Sequence, residues 1–164
     1  MTKILAGQKA PDFKLAGTSG GNFSLKNTLA KGPVVVAFFK ISCPVCQFTF
    51  PFLERLHKRY GADAATFWGI SQDNNRETKE FCVEYGLTFT MLLDGEGYPV
   101  SNLYGLTNVP TFFLIDPDGT VKVSCVGFGK VELEQIAAAL SRRKNKKTAA
   151  VFLPSELVPA YKPG

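Results

Sequence analysis

The chain has 164 residues, close to the ~150 of one typical domain, and that is enough to bury a full core without disulfides or a structural metal. Its 45% hydrophobic and 20% charged residues exclude disorder, a collagen-like repeat and a dense disulfide scaffold. The 19 Lys and Arg against 14 Asp and Glu leave a net +5; the run Arg142, Arg143, Lys144, Lys146 and Lys147 carries that whole excess, so the body of the chain is electrically balanced. A short basic run after a helix solvates its end and complements its dipole, rather than marking a nucleic-acid surface.

The opening Ile4-Leu5 gives way to Gly7-Gln8-Lys9, not to the apolar core of a signal peptide. No window reaches the ~18 apolar residues of a membrane span. The expected compartment is therefore the cytoplasm. Next, Phe13-Lys14-Leu15 and Asn22-Phe23-Ser24-Leu25 flank Thr18-Ser19-Gly20-Gly21 and predict an N-terminal β-hairpin. The run Gly32 to Phe39, opened by Gly32-Pro33 and continuously apolar, predicts a central strand buried on both faces. That strand delivers the chain into Ser42-Cys43-Pro44-Val45-Cys46. Phe48, Phe52, Leu56 and Tyr60 then recur every four residues, the stripe of an amphipathic helix that ends near Gly61 and should kink at Pro51.

Ala65 to Ser71 predicts a second strand, and Asn74 or Asn75 caps a helix carrying Phe81, Cys82 and Tyr85. Thr90 to Leu93 predicts a third strand, followed by an Asp94-Gly95 turn and a short helical segment around Val100 to Tyr104. Thr111 to Ile115 and Val121 to Cys125 flank Asp116-Pro117-Asp118-Gly119 and should pair antiparallel. A helix from about Val131 to Ser141 closes the domain. Alternating βα units followed by a hairpin and a helix imply an α/β protein with a mixed central sheet flanked by helices on both faces. Two parts are expected: a domain over 1–147 and an extended tail over 148–164. The tail is too apolar for a free linker and too rich in proline for a helix. It should dock as an extended segment on its own domain or on a second copy.

Cys43 and Cys46 fall between the buried strand and the first turn of a helix. The helix start offers free N–H groups and a positive dipole end, which favour a Cys43 thiolate and should lower its pKa from the free value of about 8.5. With Cys46 one turn later, a mixed disulfide on Cys43 can be resolved within the molecule. Pro44 suits the first turn, where its missing N–H is not needed. A closed zinc site needs four ligands; Cys82, Cys125 and the single His57 lack the spacing of a second pair, so neither metal nor cofactor is expected. Cys82, on an apolar helix face, and Cys125, in strand parity with Val121 and Val123, read as small core residues. Lys40 either adds positive charge near Cys43 or stands exposed at the strand end.

These residues resemble the thioredoxin-like superfamily, and within it the thiol-disulfide oxidoreductases of the TlpA/ResA type, grouped with the AhpC/TSA redoxins. The resemblance covers most of residues 7 to 141. It rests on Ala10-Pro11-Asp12-Phe13, on Phe38 to Cys46 with Pro51 five residues later, and on Val109-Pro110-Thr111 through Gly119. It implies a thioredoxin-like fold, a nucleophilic Cys43, a resolving Cys46, and a cis Pro110 beside Cys43. It also implies substrate contacts from Pro44, Val45, Thr111 and the backbone of Val109. The peroxiredoxin motif Pro-x-x-x-Thr/Ser-x-x-Cys is not matched, because Val36 and Lys40 stand at its places. The buried acid and the aromatic that thioredoxins carry before the nucleophile are replaced by Ala37 and Ser42.

The implied activity is thiol-disulfide exchange with a protein or low-molecular-weight disulfide or thiol, by a monomer or by a homodimer formed through the tail. No nucleic acid and no membrane is expected as partner. The alternative within the family is an antioxidant thiol peroxidase acting on hydroperoxides through a Cys43 sulfenic acid. An alternative of another class is a redox-inactive binding module that uses the basic run, in which case Cys43→Ser would leave the role intact.

Overall fold

The computed structural model describes residues 3–145 and 147–164. Met1, Thr2 and the Lys146 of the basic run lie outside the described residues. The expected N-terminal hairpin is formed by β1 (Lys14–Ala16) and β2 (Asn22–Ser24), paired antiparallel. A five-residue helix, α1 (Leu25–Leu29), follows at once. It is not anticipated above, because so short a helix leaves no periodicity to read. Its signal is local: the Ser24 side chain caps the Asn27 N–H.

The central strand β3 (Val34–Phe39) is buried at all six positions. Side-chain parity divides it between two cores: Val35, Ala37 and Phe39 face one, and Val34, Val36 and Phe38 face the other. After β3 come α2 (Pro44–Tyr60), β4 (Thr66–Ser71), α3 (Asn75–Tyr85), β5 (Thr90–Leu93), α4 (Pro99–Leu103), β6 (Thr111–Ile115), β7 (Val121–Val126), β8 (Phe128–Gly129), α5 (Lys130–Arg143) and β9 (Tyr161–Lys162). The main sheet runs β5-β4-β3-β6-β7, with β3, β4 and β5 parallel and β6 and β7 antiparallel to their neighbours. This is the mixed sheet implied by the element order.

Helix α2 runs through Pro51 to Tyr60. Phe50, Leu53, Leu56 and Tyr60 of α2, Phe81 of α3, and Leu133, Ile136 and Leu140 of α5 fill one core. Leu25 and Leu29 of α1, Val100 of α4, and Phe13, Trp68 and Tyr104 fill the other. Burying one such side chain contributes about 1.5–3 kcal/mol. Asn74 caps α3, accepting from the Glu77 N–H, and Gly86 ends it at φ 66, a left-handed conformation suited to glycine.

The tail docks on its own domain. Val151 is buried in the core shared with α2 and α5, and Phe152 packs edge-on against Phe52, with ring centroids 4.9 Å apart. Tyr161–Lys162 then adds a short strand beside Phe128–Gly129. Neither β8 nor β9 is anticipated by the sequence reading, since two-residue strands carry no alternation. Among the basic residues, Arg142 and Arg143 occupy the last turn of α5, and Lys144 is ion-paired with Asp63.

Candidate active site

The site is built where two crossing pieces of chain meet. Strand β3 ends at Phe39, and its pairing with β6 sets Phe38 opposite Thr111. Residues just before β6 are thereby carried next to residues just after β3. The Val109–Pro110 peptide bond is cis, and the Cys43 thiol donates a hydrogen bond to the Val109 carbonyl oxygen at 3.4 Å. The buried Thr111 donates its hydroxyl hydrogen to the Asn108 carbonyl at 2.7 Å, tying the loop back on itself.

Cys43 is the N-cap of α2, with Pro44 at the first helical position and no acidic residue in the first turn. Its Sγ accepts the Cys46 N–H at 3.1 Å, so one of the orphan donors of the helix start is aimed at the sulfur. Cys43 is half-buried, whereas Cys46 is buried. Burial first, then the hydrogen bond with Cys43, pushes the Cys46 thiol well above the ordinary thiol range. The two sulfurs thus differ in kind: Cys43 is open to a partner, and Cys46 is kept protonated behind it.

Two residues absent from the sequence reading hold this turn. The Asp73 carboxylate accepts the Ile41 N–H at 2.8 Å, and the Gln47 side-chain amide donates to the Ile41 carbonyl at 2.8 Å. Asp73 follows β4, which is parallel to β3, so both strands deliver their following loops to the same edge. That adjacency is the signal that identifies Asp73, and it exists only once the sheet order is known. Asp73 also adds, as the smallest of the upward influences, to the shift of Cys46.

The remaining candidates take separate places. The Lys40 ammonium lies 5.6 Å from the Tyr98 ring centroid, a cation–π contact. Pro44 and Val45 form the first turn of α2. Cys125 is buried, and burial together with Glu132 pushes its thiol up to about 12. Cys82 is half-buried: it packs against the core filled by α2, α3 and α5 and also lines a surface cleft with Gly17, Phe23 and Met91. It lies near the C-terminal end of α3. Among the described residues, no group of three or more His, Cys, Asp or Glu is placed to hold a metal ion.

A five-stranded mixed sheet, a cysteine pair opening a helix and a cis-proline loop touching the first sulfur define a thioredoxin-like thiol oxidoreductase. The sequence profile of the AhpC/TSA family matches residues 6–124, and the chain belongs to that family. It is 30% identical over 126 residues to the thiol-disulfide oxidoreductase ResA of Bacillus thuringiensis (strain Al Hakam), covering 76% of this chain and 72% of that one. Among solved structures, a Chlorobium tepidum chain assigned to the thiol:disulfide interchange protein DsbE superposes with a TM-score of 0.74 at 31% identity. That match covers 84% of this chain and 99% of the other. A secreted Mycobacterium tuberculosis disulfide oxidoreductase homologous to the DsbE of E. coli matches with a TM-score of 0.65 at 25% identity, over 79% and 95% of the two chains.

The last likeness corrects the expected cytoplasmic location. A relative with the same fold is secreted, so neither the cysteine pair nor the polar opening of the chain assigns a reducing compartment. No helix among the described residues is long and apolar enough to cross a membrane, which leaves the compartment open. The physical reason for the error is that a CxxC dithiol works in either direction: its reduction potential, not its spacing, matches it to its surroundings.

Proposed function

We propose that the chain is a dithiol–disulfide oxidoreductase in which Cys43 is the nucleophile and Cys46 the resolving thiol. The observation that carries this reading is the asymmetry of the pair: Cys43 is half-exposed and receives the Cys46 N–H, while Cys46 is buried one turn behind it. The Cys43 thiolate attacks one sulfur of a substrate disulfide; that S–S bond breaks, and the departing thiolate takes the electron pair and a proton from solvent. The substrate's other half remains on Cys43 as a mixed disulfide. Cys46 then gives up its proton and attacks the Cys43 sulfur, expelling the second substrate thiolate. The substrate disulfide has become two thiols, and the protein dithiol has become a Cys43–Cys46 disulfide. Run in reverse, the same steps oxidise a dithiol substrate. Val109 touches Cys43 on the side where a substrate chain would lie, while the buried Pro110 and Thr111 would support that loop from beneath rather than meet the substrate, and the exposed Pro44 and half-buried Val45 border Cys43 on the helix side.

Membership of the AhpC/TSA family also supports a peroxidase reading, in which a hydroperoxide oxidises Cys43 to a sulfenic acid, with release of water or an alcohol. Cys46 then condenses with it and releases water. Stopped-flow mixing of the reduced protein with hydrogen peroxide, and separately with a protein disulfide, followed by mass mapping, separates the two. Slow reaction with peroxide and fast exchange with the disulfide, both ending in a Cys43–Cys46 bond, is the expected result. The opposite order of rates would establish the peroxidase. If Cys43→Ser left the biological role intact, the binding-module reading would replace both.

A further inference from the structure

The segment after α5 does more than cover the core. It passes over α2, where Arg55 donates to the Val151 carbonyl at 3.2 Å and is ion-paired with Glu156. The Ala160 carbonyl accepts from the Lys130 N–H at 3.0 Å, Tyr161 and Lys162 pair with Gly129 and Phe128, and the Lys162 ammonium lies 5.0 Å from the Phe48 ring centroid. The segment then reaches the cis-proline loop, where the Asn108 side-chain amide donates to the Gly164 carbonyl at 3.2 Å.

The segment packs closely enough to require glycine at two of its contacts, one against that loop and one against the β7–β8 corner. A Cβ on Gly164 would stand 2.5 Å from the Val109 carbonyl oxygen, and one on Gly127 would stand 2.2 Å from the Lys162 carbonyl oxygen. The oxygen that Gly164 abuts is the same Val109 oxygen that accepts from the Cys43 thiol. One flank of the Asn108–Val109 loop is therefore occupied by residues 161–164. The other flank opens on a cleft of about 240 Å³ lined by Gln72, Tyr98, Asn102, Asn108 and Val109.

We propose that residues 161–164 are a specificity-determining strap. They fill the strip beside Val109 that an extended polypeptide disulfide needs, and they leave Cys43 open to compact, low-molecular-weight disulfides. The inference rests on the exchange reading given above. A polypeptide must lie along the loop for several residues in order to present its disulfide, so it competes with the strap and binds only to the fraction of molecules in which the strap is released. A compact disulfide needs only the sulfur and one open flank.

The test compares the full chain with two variants, one ending at Ala160 and one carrying Gly164→Leu. The second keeps β9 but cannot seat its side chain against the Val109 carbonyl. Each protein is pre-reduced, and its loss of thiols is followed in a single turnover with hydroxyethyl disulfide and with insulin. The expected result is the same rate for all three with hydroxyethyl disulfide, and a rate with insulin about tenfold higher for both variants, equivalent to about 1.4 kcal/mol. Equal insulin rates in all three proteins would overturn the strap while leaving the exchange reading standing. A rise of equal size with both disulfides would also overturn it, because the segment would then shield the thiol without selecting among substrates. Failure of every form to consume either disulfide would sink the exchange reading itself, and the strap with it.

Discussion

The Cys43 thiol and the Val109 carbonyl are hydrogen-bonded at 3.4 Å although 66 residues separate them in the chain. The contact exists because β6 runs antiparallel to β3 and begins where β3 ends. It joins the Cys43 sulfur to the backbone just before β6, where the cis Val109–Pro110 bond lies, so the site is a property of the sheet and not of either segment alone.

The division of labour between the two cysteines predicts distinct variant behaviour. Cys43→Ser should reduce disulfide exchange to background. Cys46→Ser should still permit the first attack and accumulate a mixed disulfide on Cys43, because the internal thiol that expels the substrate is gone. Intact-mass analysis after mixing with a disulfide substrate reads both. An adduct that formed on the Cys43→Ser protein instead would reverse the assignment.

Burial, then Cys43 and last Asp73 oppose ionisation of Cys46, so resolution of the mixed disulfide should accelerate as pH rises through the alkaline range. Asp73→Asn keeps an acceptor for the Ile41 N–H but removes the negative charge. The alkaline rise of the resolving step should then move slightly to lower pH, since Asp73 is the smallest of the influences that oppose ionisation. Single-turnover release of the second thiol, measured against pH, checks this; an unmoved or upward-moved profile would show that Asp73 acts only by holding the turn.

Thiols whose ionisation burial opposes make the reduced protein sensitive to alkali. In the folded chain Cys125 is pushed up to about 12, chiefly by burial, and Cys82 to about 11, again chiefly by burial, against an ordinary 9.0. Above pH 9 the unfolded chain loses these protons while the folded chain retains them, so stability falls as pH rises toward the folded values. Cys125 alone accounts for a slope of about 1 kcal/mol per pH unit in that window. Chemical denaturation under reducing conditions should show the decline, and Cys125→Ala should make it shallower.

Acid should loosen the tail. The Arg55 guanidinium, followed by the Leu153 N–H, holds the Glu156 carboxyl at about 2, below its ordinary 4.5. The contribution of this contact to docking is present above pH 4.5 and is lost as pH falls toward 2. Hydrogen exchange of amides 151–162 should accelerate over that range. Glu156→Gln should show the faster exchange already at neutral pH, and unchanged protection in that variant would assign the docking to Val151 and Phe152 alone.

Most of the framework was legible in the sequence. The continuous apolar run 34–39, the four-residue spacing from Phe48 to Tyr60 and the Asp116 to Gly119 turn each depend on local chemistry, and each forms the element that its pattern predicts. The cysteine pair was legible for the same reason, since a strand that runs directly into Cys43-Pro44 places a helix start at the sulfur. Residues whose partners are distant were not legible. Asp73 becomes part of the site only because β4 lies parallel beside β3, and Cys82, which packs against the core, also borders a surface cleft only because the N-terminal hairpin lies beside its end of α3.

The sequence by itself thus determined the strands of the main sheet, the longer helices and the placing of the cysteine pair at a helix start, because burial patterns, caps and turn residues act within a few positions of one another. The tertiary structure alone decided that Val109 meets Cys43, that Asp73 anchors the turn before it, and that Gly164 rests against the same carbonyl. Those are contacts between segments far apart in the chain, and their energy is realised only after the sheet order and the path of the tail have brought them together.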